Sequence, residues 1–585
     1  MATMIDYRRW GSVAVVALLA LVAVFRVLSS YAHTAQAFDE PYHIGAAIEL
    51  LDKGTYTLDP LHPPLQRIAI GIPLYVAGER YPNVSLPANS TEPEAAAVGN
   101  AILNDAGRYR RNLTLARVGV LPFLLLACVV VFLWARQEYG DSAGAAAVAL
   151  FTTLPIVLAF SSIAYTDIVA AATQVGACWA FASWLDKGNT RSTVWLGFAV
   201  GLALLAKTTT YIFFPACALS MVVLKWGVVR FRKTPQPRAY RQAATQAVAA
   251  GAIALAVLWA GYGFSVGHAR ESMQIPAETM PSFQHFPAPL ARMGRALVLS
   301  DPLVPAPSLM RGLALSWVME KSRPASYLLG QIKPGGWWYF FLIGVGVKSP
   351  IPFLILVVAG LFSFPRLARE GRWTAMAPAA CALAILLVTM PVEINYGVRH
   401  VLVVFPLLAI VAGYGCACLW NAPRGNATRG RQRSWGRGVL AALLFWQIVA
   451  TARTSSDYIA YFNELAGSDP STVLVGGCDL DCGQDLFGLS RAFQARHVSH
   501  ASLALWTSAD LSKMGLPEFD TPRPYHPVTG WFAISLRALR FGDVFHRTYP
   551  PDAFAWLSRY RPVARVGKTI LLYYIPEESA ESKSK

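Results

Sequence analysis

Residues 11–29 read GSVAVVALLALVAVFRVLS, and the stretch Phe38-Asp39-Glu40-Pro41-Tyr42-His43 follows soon after. The apolar run is close to the roughly 20 residues that a helix needs to cross the hydrocarbon core of a bilayer. The two adjacent acids then lie at the edge of the membrane, where charge is costly and is usually retained for a function. The sequence therefore predicts a membrane-spanning helix followed by a candidate catalytic site.

The composition is that of a protein that crosses the membrane many times. Of the 585 residues, 55% are hydrophobic and only 15% are charged. About eleven runs are apolar and long enough, or nearly so, to span the bilayer. They lie near residues 11–29, 116–135, 143–161, 163–185, 193–207, 210–228, 244–265, 337–363, 374–391, 399–420 and 438–453. Arg8 and Arg9 precede the first run and no small-residue cleavage site follows it, so we expect an uncleaved span.

The basic residues, which give a net charge of +17, are concentrated between particular spans. With the N-terminus in the cytoplasm, the inner loops are residues 136–142, 186–192, 229–243, 364–373 and 421–437, and the last three of these contain most of the Arg and Lys residues. This distribution follows the positive-inside rule for membrane proteins. We therefore predict a multi-pass protein of the cytoplasmic (inner) membrane, and the positive charge does not call for a nucleic-acid partner.

The same topology places the long polar segments on the outer side. They are the loops at residues 30–115 and 266–336 and the stretch 454–585. The last segment mixes β-branched and aromatic runs with amphipathic stretches and proline-rich turns, which is typical of an α+β domain. We predict a polytopic membrane domain over residues 1–453 and a small soluble, outward-facing domain over residues 454–585.

The first outward loop carries the acid pair. Apolar residues recur at helical spacing from Ile44 to Leu51 and from Leu65 to Leu74, so two helices lying along the membrane surface are expected. One explanation for Asp39 and Glu40 is helix capping, since Pro41 suits an opening helical position. Capping accounts for one acid more readily than for both, which leaves a candidate catalytic group.

Further charged and polar residues lie at the outward ends of later spans. They are Tyr165-Thr166-Asp167, Lys207, Glu393, Asn395 and Arg399, and a further cation, Lys348, lies within the eighth span. Each cation could be an interfacial anchor whose long stem reaches the lipid head groups. Alternatively, cations that converge on one face could hold a phosphate-bearing lipid while an acid activates an acceptor.

The eight cysteines fall into two groups. Six lie in or beside apolar spans, where cysteine usually behaves as a small buried hydrophobe. Cys478 and Cys482 lie in an outward polar segment, and their spacing permits a short-loop disulfide in an oxidising compartment. Two thiols and two intervening acids could instead bind a metal, but no second His or Cys cluster is nearby.

A series of motifs along nearly the whole chain resembles a known family, the family 39 lipid-carrier-dependent glycosyltransferases. These enzymes are relatives of protein O-mannosyltransferases and of the lipid A aminoarabinose transferase. The matching segments are, in order, Asp39-Glu40-Pro-Tyr-His, His62-Pro63-Pro64-Leu65, Tyr165-Thr166-Asp167, Gly201 to Lys207, Ser326 to Gly330, Gly336 to Phe340, Lys348-Ser-Pro350, Asn395 to His400 and Tyr461 to Gly467. Singly most are weak, but their order along an eleven-span chain is distinctive.

The resemblance implies a mainly α membrane protein of the C-type glycosyltransferase fold, with a helical bundle of about eleven spans and a soluble outward domain. It also implies the activity. Such enzymes take a sugar from a polyprenyl phosphate and transfer it with inversion to a protein, lipid or glycan acceptor outside the cytoplasmic membrane. The family thus points to protein glycosylation or lipid A modification.

The resemblance also implies roles for individual residues. Asp39 matches the family's catalytic acid and would be the general base, with Glu40 and Asp167 in support of it. Lys207, Lys348 and Arg399 would hold the donor phosphate. The side chains expected to contact the acceptor or shape the site are His43, His62 and Asn395. His43 and His62 could complete a divalent-metal site, but these relatives generally resemble metal-independent enzymes, so no cofactor is expected.

One segment departs from the family pattern. Relatives commonly have Asp-Ser-Asn-Leu-Asp-Trp-Gly-Gln-Asp-Leu where this chain has Gly477-Cys478-Asp479-Leu480-Asp481-Cys482-Gly483-Gln484-Asp485-Leu486. Two of the three replacements are cysteines, which strengthens the disulfide hypothesis. Two other functions stay open: a transporter or flippase for lipid-linked sugars, whose path intramembrane charges would line, and a non-catalytic scaffold that binds lipid phosphate. The sugar, the acceptor and the carrier length cannot be read from the sequence.

Overall fold

The computed structural model describes residues 2–84, 94–232, 240–268, 288–421, 426–542 and 549–577. Parts of the predicted inner loops 229–243 and 421–437, of the outward loop 266–336 and of the C-terminal stretch lie outside the described residues.

The first half of the chain is almost entirely helical, as expected where backbone polar groups must be satisfied within each segment. Its helices are α1 (Ala2–Ser30), α2 (Glu40–Ile48), α3 (Pro64–Val76), α4 (Glu94–Asn104), α5 (Tyr109–Val118), α6 (Leu121–Tyr139), α7 (Asp141–Thr152), α8 (Pro155–Ser161), α9 (Asp167–Lys187), α10 (Thr190–Leu204), α11 (Thr210–Arg232) and α12 (Tyr240–Gly261).

The second half continues the bundle and ends in a smaller α+β part. Its helices are α13 (Ala288–Ser300), α14 (Pro307–Lys321), α15 (Phe340–Lys348), α16 (Ile351–Leu361), α17 (Phe364–Glu370), α18 (Trp373–Thr389), α19 (Val404–Trp420), α20 (Asn426–Ala452), α21 (Leu486–Gln494) and α22 (Leu536–Arg540). This half also contains two small antiparallel sheets of two strands each. The first pairs β1 (Val266–His268) with β2 (Leu303–Pro305) before α14, and the second is a hairpin of β3 (Ala325–Leu328) and β4 (Gln331–Pro334) before α15.

Seven helical stretches in the described part of the chain are long and apolar enough to cross a membrane. Helices α7 and α8, bent by 66°, make an eighth if they form one broken span. The predicted spans 374–391 and 399–420 correspond to the shorter apolar helices α18 and α19. Each of the eleven predicted spans contains a helix, which confirms a multi-pass, mainly α membrane protein, whereas the count of eleven stays a prediction.

Close packing within the bundle depends on small residues. Helix α10 lies against α12, and a Cβ added at Gly197 or at Gly201 would come within 2.6 Å of Ile253 or Val257. Small residues spaced four apart let two membrane helices approach closely, so that van der Waals contacts hold them together.

The two helices expected in the first loop are present as α2 and α3, but α2 does not lie on the surface. Nearly all its residues are buried, because α3 and α4 pack against it. The acid motif therefore enters the interior of the protein at the start of α2, which is the feature that shapes the candidate site.

The C-terminal part contains the expected sheet. Its five strands are β5 (His500–Ala504), β6 (Glu518–Asp520), β7 (Gly530–Ser535), β8 (Ala564–Val566) and β9 (Ile570–Ile575), in the spatial order β6-β5-β7-β9-β8. Strand β5 is parallel to β6 and β7, whereas β9 is antiparallel to β7 and β8. The small α+β unit is confirmed, while a domain boundary after residue 453 stays a prediction.

The segment between α20 and the sheet is anchored to the bundle. Asn463 donates from its side-chain amide to the carbonyls of Gly346 and Ser349, at 2.6 and 2.7 Å. The Lys348 ammonium donates to the carbonyls of Ile459 and Asp479, at 2.7 and 2.5 Å. Because these contacts join the end of α15 to residues 459–479, the C-terminal part cannot move freely relative to the bundle.

Asp485 generates a prediction about pH. Its carboxylate accepts from Lys568 N–H at 2.9 Å and from the Thr569 hydroxyl at 2.8 Å, and burial, with the charge of Asp457, raises its pKa to about 7. The folded protein thus keeps a proton that the unfolded chain releases near pH 4. The free energy of unfolding should therefore fall as the pH rises from about 4 to about 7.

We expect the apparent melting temperature, followed by tryptophan fluorescence, to fall over that pH range in the wild-type protein, and to fall less in Asp485→Asn. The variant Asp520→Asn, which removes an exposed acid from the edge strand β6, should follow the wild-type profile. Equal slopes for wild type and Asp485→Asn would contradict the prediction.

Candidate active site

Asp39 stands at the N-terminal end of α2 but does not cap it. Its side chain makes no capping hydrogen bond, although Pro41 lies in the first turn as expected. Instead, its backbone N–H donates to the Tyr165 hydroxyl at 2.7 Å, and the Phe38 N–H donates to the Cys482 carbonyl at 3.0 Å. The capping explanation therefore does not account for the Asp39 carboxylate.

Four of the predicted site residues form a continuous row of alternating charge. The Asp39 Oδ2 atom is 2.9 Å from Arg399 Nη2. Arg399 Nη1 is 3.9 Å from Asp167 Oδ2, and Asp167 Oδ1 is 2.5 Å from Lys207 Nζ. Asp167 is the first residue of α9, where the helix dipole favours negative charge. Side chains from four separate segments thus meet at one end of the bundle.

The four groups differ in accessibility. The Asp39 side chain is 29% exposed, compared with 15% for Arg399, 7% for Lys207 and 0% for Asp167. Asp39 is therefore the acid of this row that an incoming molecule can reach most easily.

Two buried polar atoms of the row, and one of the residue next to Arg399, have no hydrogen-bond partner among the residues that the structure describes. They are Arg399 Nε, Asp167 Oδ2 and His400 Nε2. Buried polar atoms are nearly always hydrogen-bonded in folded proteins, so such groups call for an explanation. Arg399 Nε is a hydrogen-bond donor and Asp167 Oδ2 is an acceptor. Together they are suited to a ligand that carries both an anionic oxygen and hydroxyl groups.

Glu40 has a different environment from Asp39. It is fully buried, and its two oxygens accept from Arg117 Nε at 2.8 Å and Arg117 Nη2 at 2.7 Å. They also accept from the backbone N–H groups of Ala164 and Ala37, at 2.8 and 2.7 Å. With both oxygens bonded, Glu40 has no room for a substrate group. These contacts fix the start of α2, and the expected role of Glu40 in support of Asp39 stays a prediction.

Arg117, the partner of Glu40, was missed by the sequence reasoning. The signal was present, because Arg117 is a cation at the beginning of the predicted span 116–135, and charges in apolar spans are usually paired. The identity of the partner could not be read, since Glu40 lies far away in the sequence.

His43 and His62 converge on an acid that was not assigned a role. His43 Nδ1 is 3.1 Å from Asp59 Oδ2, and His62 Nδ1 is 2.8 Å from Asp59 Oδ1. Burial alone would raise the pKa of Asp59, but His62, His43 and Arg67 together hold it below its usual range. Burial lowers the pKa of His62, and the neighbouring Asp59 carboxylate opposes this shift.

The three side chains His43, Asp59 and His62 are also a candidate metal-binding group, since their ligand atoms lie within 4.8 Å of one another. They adjoin the charged row through Tyr165, whose ring meets that of His43 edge-on at 5.4 Å. The buried Arg67, 3.9 Å from Asp59 Oδ2, already balances the charge of this acid and weakens its attraction for a cation.

Two further predicted site residues, Lys348 and Asn395, also lie outside the row. Lys348 donates to two backbone carbonyls of the C-terminal segment, as described above, and its expected role in holding phosphate stays a prediction. Asn395 accepts from the Trp337 N–H at 2.7 Å and donates to the Val392 carbonyl at 3.4 Å. Through these two hydrogen bonds Asn395 holds the segment before α15 in place.

The structure joins Cys478 and Cys482 by a disulfide, and both residues are buried. Each sulfur lies 3.6 Å from the Tyr165 hydroxyl oxygen. The predicted pair is therefore close to the candidate site, a proximity that the sequence did not indicate.

A comparison with protein families finds a match in the first half of the chain. Residues 111–262, which include Arg117, Asp167 and Lys207, match the family model described as dolichyl-phosphate-mannose-protein mannosyltransferase. No curated protein matches the chain closely enough to be counted as a relative.

Three solved structures are similar in fold at low sequence identity. ArnT from Cupriavidus metallidurans bound to undecaprenyl phosphate is 14% identical over 95% of this chain and 97% of that chain, with a TM-score of 0.45. The apo oligosaccharyltransferase of Archaeoglobus fulgidus is 13% identical over 91% and 70%, with a TM-score of 0.48. The S. cerevisiae protein O-mannosyltransferase Pmt1-Pmt2 complex bound to the sugar donor is 18% identical over 43% and 33%, with a TM-score of 0.31.

The different surroundings of the two acids predict different effects on stability. Glu40→Gln leaves the Arg117 charge buried without its partner, and breaking such a pair typically costs about 3–5 kcal/mol. Asp39→Asn removes the charge of a partly exposed carboxylate, and Arg399 keeps a second acidic partner, Asp167. We expect a large fall in apparent melting temperature for Glu40→Gln and a much smaller change for Asp39→Asn. Similar melting temperatures for the two variants would show that the acids are not divided in this way.

Proposed function

We propose that this chain, whose resemblance to the lipid-carrier-dependent glycosyltransferases is confirmed by the family match, transfers a glycosyl group from a polyprenyl-phosphate sugar donor. The transfer inverts the anomeric centre and takes place on the outer side of the cytoplasmic membrane. The observation that carries the proposal is the charged row at the end of the bundle, in which a reachable carboxylate, Asp39, adjoins two cations, Arg399 and Lys207.

Asp39 is the general base in this reaction. Its carboxylate accepts the proton of the acceptor hydroxyl while that oxygen attacks the anomeric carbon. The bond between the anomeric carbon and the phosphate oxygen breaks, and its electrons stay on the phosphate, which leaves from the opposite face. A single displacement of this kind needs one base and a stabilised leaving group.

The cations stabilise the leaving phosphate. Arg399 Nε has no hydrogen-bond partner among the described residues, so it can donate to a phosphate oxygen while the Nη2 atom keeps its contact with Asp39. Lys207, which is paired with Asp167, adds a second positive charge to the site. Preplaced cations in a site shielded from water stabilise a developing oxyanion far more than they would in solution.

The remaining polar residues support this arrangement. Asp167 holds Lys207 and leaves one oxygen for a sugar or acceptor hydroxyl, and Glu40 fixes the start of α2. His62, whose side chain is 27% exposed, and His43 behind it line the acceptor side. The acceptor is a protein, lipid or glycan hydroxyl, and the second substrate is the membrane-embedded donor.

Asp39→Asn tests the proposal against transport and against a scaffold that only binds lipid phosphate. Loss of a positioned base typically costs about 10²–10⁴ in rate, so sugar transfer should fall by that factor while donor binding persists. The measurement is transfer of radiolabelled sugar in proteoliposomes, with donor binding recorded separately. Asp186→Asn, at the opposite end of α9, is the matched control and should retain wild-type transfer.

Retained transfer in Asp39→Asn would remove this residue as the base. Donor movement across the vesicle membrane without any transfer product would favour a flippase instead.

The proposed reaction does not use a metal ion, because Arg399 and Lys207 supply the positive charge and Asp59 is already balanced by Arg67. We expect treatment with EDTA followed by gel filtration to leave the transfer rate within about twofold of the untreated rate, a change small on the scale of catalytic groups. If the rate falls and Mg²⁺, Mn²⁺ or Zn²⁺ restores it, the variant His62→Ala should abolish the restoration, and the cationic mechanism would need revision.

A further inference from the structure

The loop at residues 477–485, which contains the Cys478–Cys482 disulfide, contacts both the segment that carries Asp39 and the segment that carries Arg399. We propose that this disulfide loop is a positioning element of the site, which holds Asp39 and Arg399 at ion-pair distance through the Tyr165 hydroxyl and through its own backbone. The inference rests on the proposed function for its effect on rate, but the contacts that carry it are independent of any reaction.

On the Asp39 side, the contact passes through Tyr165. The two sulfurs of a disulfide carry no hydrogen, so the Tyr165 hydroxyl, 3.6 Å from each, can only donate to them. Its oxygen is then free to accept the Asp39 N–H at 2.7 Å. Two thiols could donate to the same oxygen and would compete with the Asp39 N–H for it.

The loop backbone adds two further contacts with the segment before α2. The Cys482 carbonyl accepts from the Phe38 N–H at 3.0 Å, and the Gln484 carbonyl accepts from the Ala35 N–H at 2.9 Å. The segment 35–39 is therefore held at three backbone N–H groups, those of Ala35, Phe38 and Asp39, either by the disulfide loop directly or by the tyrosine that it faces.

On the Arg399 side, the loop lies directly on the preceding residues. Asp479 Oδ1 accepts from the Val398 N–H at 2.9 Å. Gly477 and Gly397, both with positive φ, face each other: a Cβ at Gly477 would fall 1.9 Å from the Tyr396 carbonyl oxygen, and one at Gly397 would fall 2.4 Å from the Gly477 carbonyl oxygen. The loop can approach this closely only because both positions lack a side chain.

One short loop thus contacts the residues that flank both partners of the Asp39–Arg399 pair, which are distant in sequence. A disulfide restricts the conformations of the loop that it closes. Reacting groups must be held precisely, since a misplacement of about 1 Å can cost about 100-fold in rate. The loop should therefore affect the rate of the chemical step more than the affinity for the donor, because Lys207 takes part in donor binding together with Arg399.

The first experiment compares three variants: Tyr165→Phe, Cys478→Ser with Cys482→Ser, and all three substitutions together. Tyr165→Phe removes only the hydroxyl and keeps the ring that stacks with the Arg399 guanidinium at 5.0 Å. We expect kcat to fall about tenfold in each of the first two, with the KM for the donor unchanged. The combined variant should fall by less than the product of the two separate losses, since both changes remove the contact between Tyr165 and the disulfide.

Cys128→Ser, which alters a buried cysteine within α6, is the control and should keep the wild-type kcat. Additive losses in the combined variant, or a wild-type kcat in the double cysteine variant, would overturn the proposal.

Reduction provides a second way to open the loop without mutation. Dithiothreitol transfers two electrons and two protons to the Cys478–Cys482 disulfide, which becomes two thiols, while the reagent closes to its cyclic disulfide. Activity should fall with the appearance of two thiols that alkylate on peptide 478–482, and should return on reoxidation. Full activity in protein with both thiols alkylated would count against the inference.

Amide hydrogen exchange separates this inference from the proposed function. In the double cysteine variant, exchange should rise at residues 35–39 and at Val398 and stay unchanged within α6. If exchange rises but Asp39→Asn retains transfer, the loop positions this segment and the assignment of the base is wrong. If exchange at residues 35–39 and Val398 stays at the wild-type level, the loop does not hold them, whatever the activity of Asp39→Asn.

Discussion

The buried ion pair between Glu40 and Arg117 is the interaction on which the arrangement of the site depends. It joins the start of α2 to α5, and the same carboxylate accepts from the Ala164 N–H just before α9. A carboxylate and a guanidinium are expensive to remove from water, and only full pairing and hydrogen bonding repay that cost. A buried ion pair is tolerated only when its geometry is good, so this pair restricts the conformations of the residues next to it. Asp39 is the residue adjacent to Glu40.

The charges around Asp39 form a balanced set before any substrate binds. Asp39 and Asp167 alternate with Arg399 and Lys207, so the row is close to neutral and can exist at the end of an apolar bundle. In the proposed reaction, the donor phosphate would add negative charge where Arg399 Nε has no hydrogen-bond partner among the described residues. The row is therefore stable when empty and able to accept an anion, two properties that a cluster of cations alone would not combine.

The site is shared between the bundle and the C-terminal part. Phe38 stacks on Trp506 with ring centroids 4.0 Å apart, and its carbonyl accepts from the Ser508 hydroxyl at 2.5 Å. The loop of Cys478 and Cys482 lies on the other side of the same segment. The α+β unit thus contributes to the geometry of the acid motif, and the departure of the cysteines from the family pattern falls where that geometry is set.

The sequence by itself determined the features that depend on local pattern. Apolar runs indicated a multi-pass helical protein because a bilayer demands length and hydrophobicity from each span, and alternating β-branched runs indicated the C-terminal sheet. The same reasoning selected Asp39, Asp167, Lys207 and Arg399, since charged groups beside apolar spans are rare enough to stand out.

Only the tertiary structure decided which charges are partners. Asp39 and Glu40 are adjacent and chemically alike, yet one is reachable and the other is enclosed by Arg117. Lys348 resembles Lys207 in the sequence, yet its ammonium is used by backbone carbonyls of the C-terminal segment. These outcomes depend on contacts between segments that are far apart in the chain. Periodicity and composition describe only the sequence around each residue, so they carry no information about such contacts.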